Sequence, residues 1–314
     1  MPRTPRSGIQ HTLRSGPYTA VVAGVGASLR SLRFEDRDLV VPFEADEMRP
    51  AFRGATLAPW PNRVVDGRHR FGGIEHVLAL TEPTRGHALH GLAGWLAFEA
   101  VDKGSDHVTL SAVVQPQTGY PWRVVVETTY ALTAEGLVQT VRAHNDDDEP
   151  APLGTGPHPY LVAGRGPLDD WALSLPAARV LDVDERLAPV GLSDVDGADP
   201  TRFDFREPRR LGTVEIDHAF TALDRTPDGD AVVRLTAPDG SGVAMSWDDA
   251  CPWVQIHTAD VGPGLPGHRA GLAVEPMTCA PDAFNAAAYP FDTGLVVLEP
   301  GASASAAWRI AALA

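Results

Sequence analysis

Glycine and proline interrupt this sequence so often that long regular helices have little room to form. The chain of 314 residues contains 30 glycines and 28 prolines, and both residues favour turns over helix interiors. Between them lie short apolar segments rich in valine, threonine and aromatic residues, which is the composition and length of β-strands. Seven segments of this kind are Tyr18–Ala23, Val108–Val114, Trp122–Leu132, Val232–Thr236, Val243–Trp247, Trp253–Thr258 and Leu295–Leu298.

The order of these segments predicts an all-β fold. In Trp253–Thr258, residues 253, 255 and 257 share one face of a strand and residues 254, 256 and 258 share the other. We find no stretch with convincing helical periodicity, so the strands are not separated by helices as βαβ units require. We therefore predict a large antiparallel β-sandwich that forms a single domain over residues 1–314. Residues 1–17 are basic and polar, and we expect them to form a loosely ordered N-terminal segment.

Composition excludes several classes of protein. The formal net charge is −15, which argues against binding to nucleic acid or to an acidic membrane surface. Lys103 is the only lysine, and no glycine-rich loop precedes it, so neither a Schiff base nor a P-loop is expected. Cys251 and Cys279 cannot frame a disulfide-rich fold or a zinc ribbon. No apolar stretch approaches the ~18 residues of a membrane span. We expect a cytoplasmic monomer or homodimer without nucleic-acid or membrane partners.

A carboxylate stands at the end of one apolar segment. Leu272–Pro276 reads as a buried strand in which Glu275 directly precedes the proline. Burial raises the pKa of a carboxyl group, which makes it a better base near neutral pH. The alternative is a glutamate at a strand end that faces water.

Two histidines lie in stiff, turn-rich surroundings. His158 follows a Gly-Pro pair and precedes Pro159, and His90 precedes Gly91. A rigidly held imidazole that titrates near pH 7 is suited to general acid catalysis. The alternative for both residues is a loop histidine that hydrogen-bonds to backbone.

The sequence evidence for metal binding and for sugar binding is weaker. His87 and His90 are three residues apart, but the next carboxylate, Glu99, is distant and no His-x-His motif exists, so we expect no metal. Two aromatic–polar pairs would suit a sugar, because an aromatic ring covers the apolar side of the sugar ring while the polar group binds hydroxyls. The alternative is tryptophans in the core beside polar surface groups. The pairs are Trp60 with Arg63 and Trp253 with Gln255.

Taken in order, six motifs resemble the aldose 1-epimerase (galactose mutarotase) family. The similarity extends from about Gly24 to the C-terminus, and its most specific part is the Glu-Pro-Met-Thr block. The motifs are Pro61-Asn-Arg63, Leu89-His-Gly91, Gly156-Pro-His-Pro-Tyr160, Asp217-His-Ala-Phe220, Trp253-Val-Gln-Ile256 and Val274–Asn285.

The resemblance implies a supersandwich of β-sheets that works without a metal or an organic cofactor on a small sugar. It implies that Glu275 is the base that takes the proton from the anomeric hydroxyl. It further implies that His158 is the acid that protonates the ring oxygen, with His90 beside that oxygen as a second donor. On these roles the acid limb of a pH profile would follow the carboxylate and the alkaline limb the imidazole. The groups that would hold the other hydroxyls are Asn62, Arg63, Asp217 and Gln255.

Three functions fit the resemblance. The first is a mutarotase that interconverts the α and β anomers of a free aldohexose such as glucose or galactose. The second is a hexose-6-phosphate mutarotase, for which an extra basic cluster is expected, with Arg68, Arg70 and Arg85 as candidate members. The third is a non-catalytic carbohydrate-binding protein on the same fold. The motif around His158 ends in Pro-Tyr-Leu, where relatives have an aromatic residue after the tyrosine, and this difference concerns the preferred sugar.

Overall fold

The computed structural model describes residues 3–197 and 199–313 and is built mainly of short strands. The strands of the first half of the chain are β1 Gln10–Ser15, β2 Tyr18–Ala23, β3 Ser28–Phe34, β4 Arg37–Asp38, β5 Thr56–Leu57, β6 Arg63–Val64, β7 Arg68–Phe71, β8 Ile74–Val77, β9 Ala88–Leu89, β10 Glu99–Lys103, β11 His107–Val114, β12 Val124–Thr133, β13 Gly136–Asn145 and β14 Ala151–Leu153. The remaining strands are β15 Gly156–Pro157, β16 Tyr160–Leu161, β17 Ala172–Ser174, β18 Ala177–Val183, β19 Pro189–Asp194, β20 Arg209–Arg210, β21 Asp217–Leu223, β22 Ala231–Thr236, β23 Gly242–Trp247, β24 Trp253–His257, β25 Leu272–Met277, β26 Val296–Leu298 and β27 Ser303–Leu313.

In the described part of the chain, helical structure is confined to short segments. The α-helix is α1, Pro200–Phe203, and the Asp199 side chain caps it by accepting a hydrogen bond from the Arg202 backbone N–H. The 3₁₀ helices are Pro50–Phe52, Val65–Gly67, Ala93–Trp95, Leu168–Asp170 and Ala283–Ala288. No helix within the described ranges has the length and apolar character needed to cross a membrane.

Two large antiparallel sheets form the body of the molecule. One has nine strands in the order β10-β11-β12-β13-β27-β23-β22-β17-β20, and the other has six in the order β16-β25-β24-β21-β18-β19. A four-stranded sheet, β1-β2-β3-β4, lies beside them. The prediction of an all-β fold with large antiparallel sheets is confirmed.

The alternation of burial along the strands places the core between the sheets. In β11 and β12 every second residue is buried, as expected of strands with one packed face. Val254 and Ile256 of the six-stranded sheet belong to the same apolar cluster as Val126 and Trp308 of the nine-stranded sheet. The opposite face of the six-stranded sheet is therefore free to carry polar groups, and the candidate site lies there.

The expectation of a loose N-terminal segment is wrong for residues 10–15. These residues form β1, which pairs with β2 over its whole length. Leu13 is 1% exposed and packs into the main core, so one buried leucine anchors a strand whose other side chains are mostly polar. Met1 and Pro2 lie outside the described residues.

Candidate active site

The register of four neighbouring strands builds a two-row arrangement of side chains. Tyr160 of β16 pairs with Ala273 of β25, which pairs with His257 of β24, and His257 pairs with Asp217 of β21. Because side chains two residues apart share a face, the next row contains His158, Glu275 and Gln255. The Gln255–Glu275 pairing in the β24–β25 register fixes this second row directly.

All seven side chains predicted from the sequence line one cavity of about 410 Å³. Further residues lie beside them, and two of these, Phe52 and Tyr160, add aromatic rings to the wall of the cavity. Phe52 packs against His90 and His158, with ring centroids 4.7 and 6.3 Å apart. Further lining residues are Glu82, Arg85, Tyr160, His257, Asp260 and Val261.

His158 and Glu275 form the innermost pair of the cavity. The His158 Nε2 atom lies 3.5 Å from Glu275 Oε1, and the two residues are 4% and 1% exposed. The other carboxyl oxygen, Glu275 Oε2, is buried and has no hydrogen-bond partner among the described residues. A buried carboxyl group with an unfilled acceptor position that lines a cavity is suited to receive a proton from a ligand hydroxyl.

Burial sets the protonation of this pair. Removal from water, together with the negative charge of Asp217, raises the pKa of Glu275 well above its ordinary value. Removal from water and then the charge of His257 lower the pKa of His158 to about 3. Both shifts favour the uncharged form, so the free protein favours a neutral carboxyl group on Glu275 beside a neutral imidazole on His158. The pKa of Glu275 is therefore higher than that of His158. This is the reverse of the order expected from the sequence, which assigned the alkaline limb of the pH profile to the imidazole.

His90 is held as a neutral hydrogen-bond donor. The backbone N–H of Asn62 donates to His90 Nδ1 at 3.2 Å, and the backbone N–H of His90 donates to the Asn62 carbonyl at 2.7 Å. Burial, and then the nearby charge of His158, lower the pKa of His90 well below its ordinary value. With Nδ1 occupied as an acceptor, the neutral ring carries its proton on Nε2.

The same tautomer bears on metal binding. His90, His158 and Glu275 each offer one ligand atom, and these atoms lie within 4.8 Å of one another. A metal would need the lone pair of His90 Nε2, but the hydrogen bond from Asn62 keeps the proton there. The donor set therefore fits a divalent metal poorly, although its spacing alone would allow one. His87, the other histidine considered as a ligand, accepts from the Asp66 N–H and contacts the Arg186 carbonyl instead.

Arg63 is fixed by carboxylates before any ligand arrives. Its Nε and Nη2 donate to the two oxygens of Glu82 at 2.8 and 3.1 Å, and Nη2 lies 3.6 Å from Asp217 Oδ2. Burial alone would lower the pKa of Arg63, but the hydrogen bonds from its side chain to Glu82 and the charge of Asp217 raise it. The guanidinium is thus held in one orientation at the wall of the cavity.

Asp217 and Gln255 form a second polar pair. Gln255 Nε2 donates to Asp217 Oδ1 at 2.6 Å, while Gln255 Oε1 is buried without a partner in the described part of the chain. Burial alone would raise the pKa of Asp217, but the charges of His257 and Arg63 lower it. Asp217 is therefore an ionised acceptor that faces the cavity.

Backbone contacts join the segments that carry these groups. The Asp282 N–H donates to the Arg63 carbonyl at 2.7 Å, and Asp282 Oδ1 accepts from the Val65 N–H at 2.8 Å. The end of the Val274–Asn285 motif therefore clamps the strand that follows Asn62. Motifs more than 200 residues apart in sequence meet through this clamp.

Two other expectations are corrected by the structure. Trp60 and Trp253 do not face the cavity; both are buried, Trp60 against Phe284 and Trp253 against Phe291. Of the three arginines considered for a phosphate cluster, only Arg85 lines the cavity. Arg68 forms an exposed ion pair with Glu75 on the hairpin of β7 and β8.

Comparison with known proteins agrees with the motifs. The sequence profile of the family described as aldose 1-epimerase matches residues 10–311, almost the whole chain. The chain belongs to the aldose 1-epimerase family. It is similar to the uncharacterized protein YihR of Escherichia coli (strain K12), with 34% identity over 297 residues that cover 94% of this chain and 90% of that protein.

Solved structures of aldose 1-epimerase homologues share the fold. A GalM/aldose epimerase homologue from C. elegans superposes with a TM-score of 0.82 at 21% identity, covering 98% of this chain and all of that one. Galactose 1-epimerase from Lactobacillus acidophilus NCFM gives a TM-score of 0.82 at 18% identity, covering 100% of this chain and 98% of that one. The resemblance to the galactose mutarotase fold is thereby confirmed.

Proposed function

We propose that this protein is an aldose 1-epimerase that interconverts the α and β anomers of a free aldohexose, such as glucose or galactose, by acid/base opening of the ring. The observation that carries the proposal is the buried contact of 3.5 Å between His158 Nε2 and Glu275 Oε1 inside a polar cavity. It supplies one acid and one base next to each other, and ring opening needs no more.

The reaction moves one proton on and one proton off the sugar. Glu275 takes the proton of the anomeric hydroxyl, the carbon–oxygen bond to the ring oxygen breaks as the carbonyl forms, and His158 delivers a proton to the ring oxygen. The N–H of His90 donates a hydrogen bond to the same oxygen. Rotation about the bond between C1 and C2 presents the other carbonyl face, and the reverse transfers close the ring.

The free protein carries the one proton that this reaction needs. A neutral Glu275 with a neutral His158 holds the same number of protons as a Glu275 carboxylate with a His158 imidazolium. Transfer across the 3.5 Å contact converts one form into the other. The reactive form is thus a tautomer of the stable form and requires no proton from solvent.

Charge balance in the cavity favours a neutral sugar. Arg63 is paired with Glu82 and Asp217, and Arg85 donates to Glu82 at 2.7 Å. A phosphate is bound by cations that lack other partners, and both arginines of the cavity have carboxylate partners already. This supports a free aldohexose over a hexose 6-phosphate.

Polarimetry of freshly dissolved α-glucose, α-galactose and their 6-phosphates tests the proposal. We expect the protein to accelerate the decay of rotation of at least one free hexose and to act more weakly on the phosphates. Faster turnover of the phosphates would contradict the choice of a free sugar. Calorimetric binding without any acceleration would instead identify a non-catalytic sugar-binding protein.

A further inference from the structure

We propose that His257 is a specificity-determining residue which, together with Asp217, binds one hydroxyl of the sugar on the side remote from the reacting oxygens. This inference rests on the function proposed above and names a sugar contact that the motifs do not include. His257 lies on the same face of β24 as Gln255, two residues further along, and it lines the cavity. Its register partner on β21 is Asp217.

The first argument is an unfilled hydrogen-bonding position. His257 Nδ1 is buried and has no partner within residues 3–197 and 199–313, although the side chain as a whole is 25% exposed. A buried ring nitrogen without a partner is costly unless a ligand or a water satisfies it. In a cavity lined by sugar-binding side chains, a hydroxyl group is the matching partner.

The second argument is the distance between His257 and its neighbour. His257 Nδ1 lies 3.9 Å from Asp217 Oδ1, which is too long for a direct hydrogen bond. A single oxygen atom about 2.8 Å from both atoms would satisfy each of them. A hydroxyl placed there accepts a hydrogen bond from His257 Nδ1–H and donates its own proton to the ionised Asp217.

The third argument is position relative to the reacting pair. Glu275 is level with Gln255, so His257 stands one row away, roughly 6.8 Å along the strand. Ala273 fills the position beside His257 in that row with only a methyl group, and the Tyr160 ring packs edge-on against the imidazole at 6.4 Å. The strand register and the Tyr160 ring therefore hold His257 at the wall of the cavity, one row away from Glu275.

Kinetics with deoxy sugars test this contact. The parent protein and the His257→Phe variant are compared on the preferred hexose and on its 2-, 3-, 4- and 6-deoxy analogues. We expect His257→Phe to lower kcat/KM for the hexose by roughly 10- to 100-fold through KM, with kcat nearly unchanged. One of the analogues lacks the hydroxyl that His257 binds. For that analogue, the kcat/KM values of the parent and the variant should agree within about threefold. His257→Gln retains an N–H donor and should give an intermediate loss.

His144→Phe is the matched control. His144 is half-buried on β13 of the nine-stranded sheet and is not among the residues that line the cavity. The relative kcat/KM values of this control variant across the deoxy analogues should remain those of the parent. Because each variant is judged by ratios between sugars, a reduced folded fraction does not affect the result.

The outcomes separate this inference from the proposed function. A parent protein that accelerates no sugar contradicts the mutarotase itself. An active parent whose His257→Phe variant discriminates against all four analogues as the parent does would overturn the role of His257. A loss that falls on kcat rather than on KM would also overturn it, since it would place His257 among the reacting groups.

Discussion

Burial decides which member of the His158–Glu275 pair holds the proton. Both residues are almost completely buried, and loss of water disfavours the charged form of each. The pKa of His158 falls to about 3, whereas the pKa of Glu275 rises well above its ordinary value. Both shifts therefore favour a pair that holds one proton, with that proton on Glu275.

The pH dependence follows from these directions. We expect kcat/KM, which reports ionisations of the free enzyme, to be level through neutrality. It should fall on the acid side only near pH 3, where His158 gains a second proton for the pair. On the alkaline side, kcat/KM should fall when Glu275 loses the one proton that the pair holds. Initial polarimetric rates corrected for the buffer-catalysed background measure the profile. An acid limb close to the ordinary imidazole value of ~6.5 would contradict it.

Stability should depend on pH through the same carboxyl group. A raised pKa in the folded state means that the native protein binds this proton more tightly than the unfolded chain does. The resulting contribution to the free energy of unfolding is fully present below the pKa that the group has in the unfolded chain. It is lost as the pH rises through the pKa that the group has in the folded protein. We therefore expect Glu275→Gln to increase the free energy of unfolding at about pH 8–9 and to change it little near about pH 4.

Urea unfolding at both pH values measures this difference. Glu207→Gln is the control, because Glu207 is exposed and its replacement leaves the interior unchanged. An equal response of the two variants to pH would show that Glu275 is not held protonated by the fold.

The turn that carries His90 depends on close backbone packing. His90 and Gly91 both adopt positive φ, 62° and 71°. A Cβ atom on Gly91 would lie 2.3 Å from the Ala58 carbonyl oxygen, so this position excludes any side chain. The glycine is what allows His90 to approach Asn62 and form the reciprocal hydrogen bonds described above.

Gly91→Ala should therefore destabilise the protein more than an ordinary glycine replacement in a turn. Gly72 provides the comparison, since it also has positive φ (58°) but a Cβ atom added there would meet nothing within 4 Å. We expect Gly72→Ala to lower the free energy of unfolding by roughly 1–2 kcal/mol from backbone strain alone. Gly91→Ala should cost about 1–3 kcal/mol more because of the clash. Equal losses in urea unfolding would show that the Ala58 contact is unimportant.

Local sequence patterns predict the strands well but not their neighbours. Alternation in Trp253–Thr258 correctly places Gln255 and His257 on one face, and β24 forms there. Which strands lie beside β24 depends on long-range pairing, so the contact between His257 and Asp217 was not foreseen. Glu82 was missed for a different reason, because it lies in a polar loop and acquires its role only through the ion pair with Arg63.

Tryptophan and histidine show the limit of residue type as a guide. Trp60 suits a sugar chemically, yet it is 3% exposed and contributes to the core. The pKa order of His158 and Glu275 was predicted the wrong way round, because the depth of burial is a property of the whole fold. The fold nevertheless brings all seven side chains that the motifs identified to one cavity.

For the molecule as a whole, catalysis should not require a metal. His90 keeps its Nε2 proton through the hydrogen bond from Asn62, which leaves an incomplete ligand set. We expect activity to survive exhaustive treatment with a chelator and dialysis. Activity that is lost on stripping and restored by adding back a stoichiometric divalent metal would contradict this.

Anomer exchange catalysed by Glu275→Gln is the most direct test of the whole account. Glutamine has nearly the same shape, so the variant should still bind the sugar in calorimetry while it loses the group that exchanges the proton. We expect its turnover, measured by NMR exchange between the two anomeric protons at equilibrium, to fall by on the order of 10²–10⁴ relative to the parent. A folded, sugar-binding Glu275→Gln protein that exchanges anomers within a few-fold of the parent rate would contradict the account.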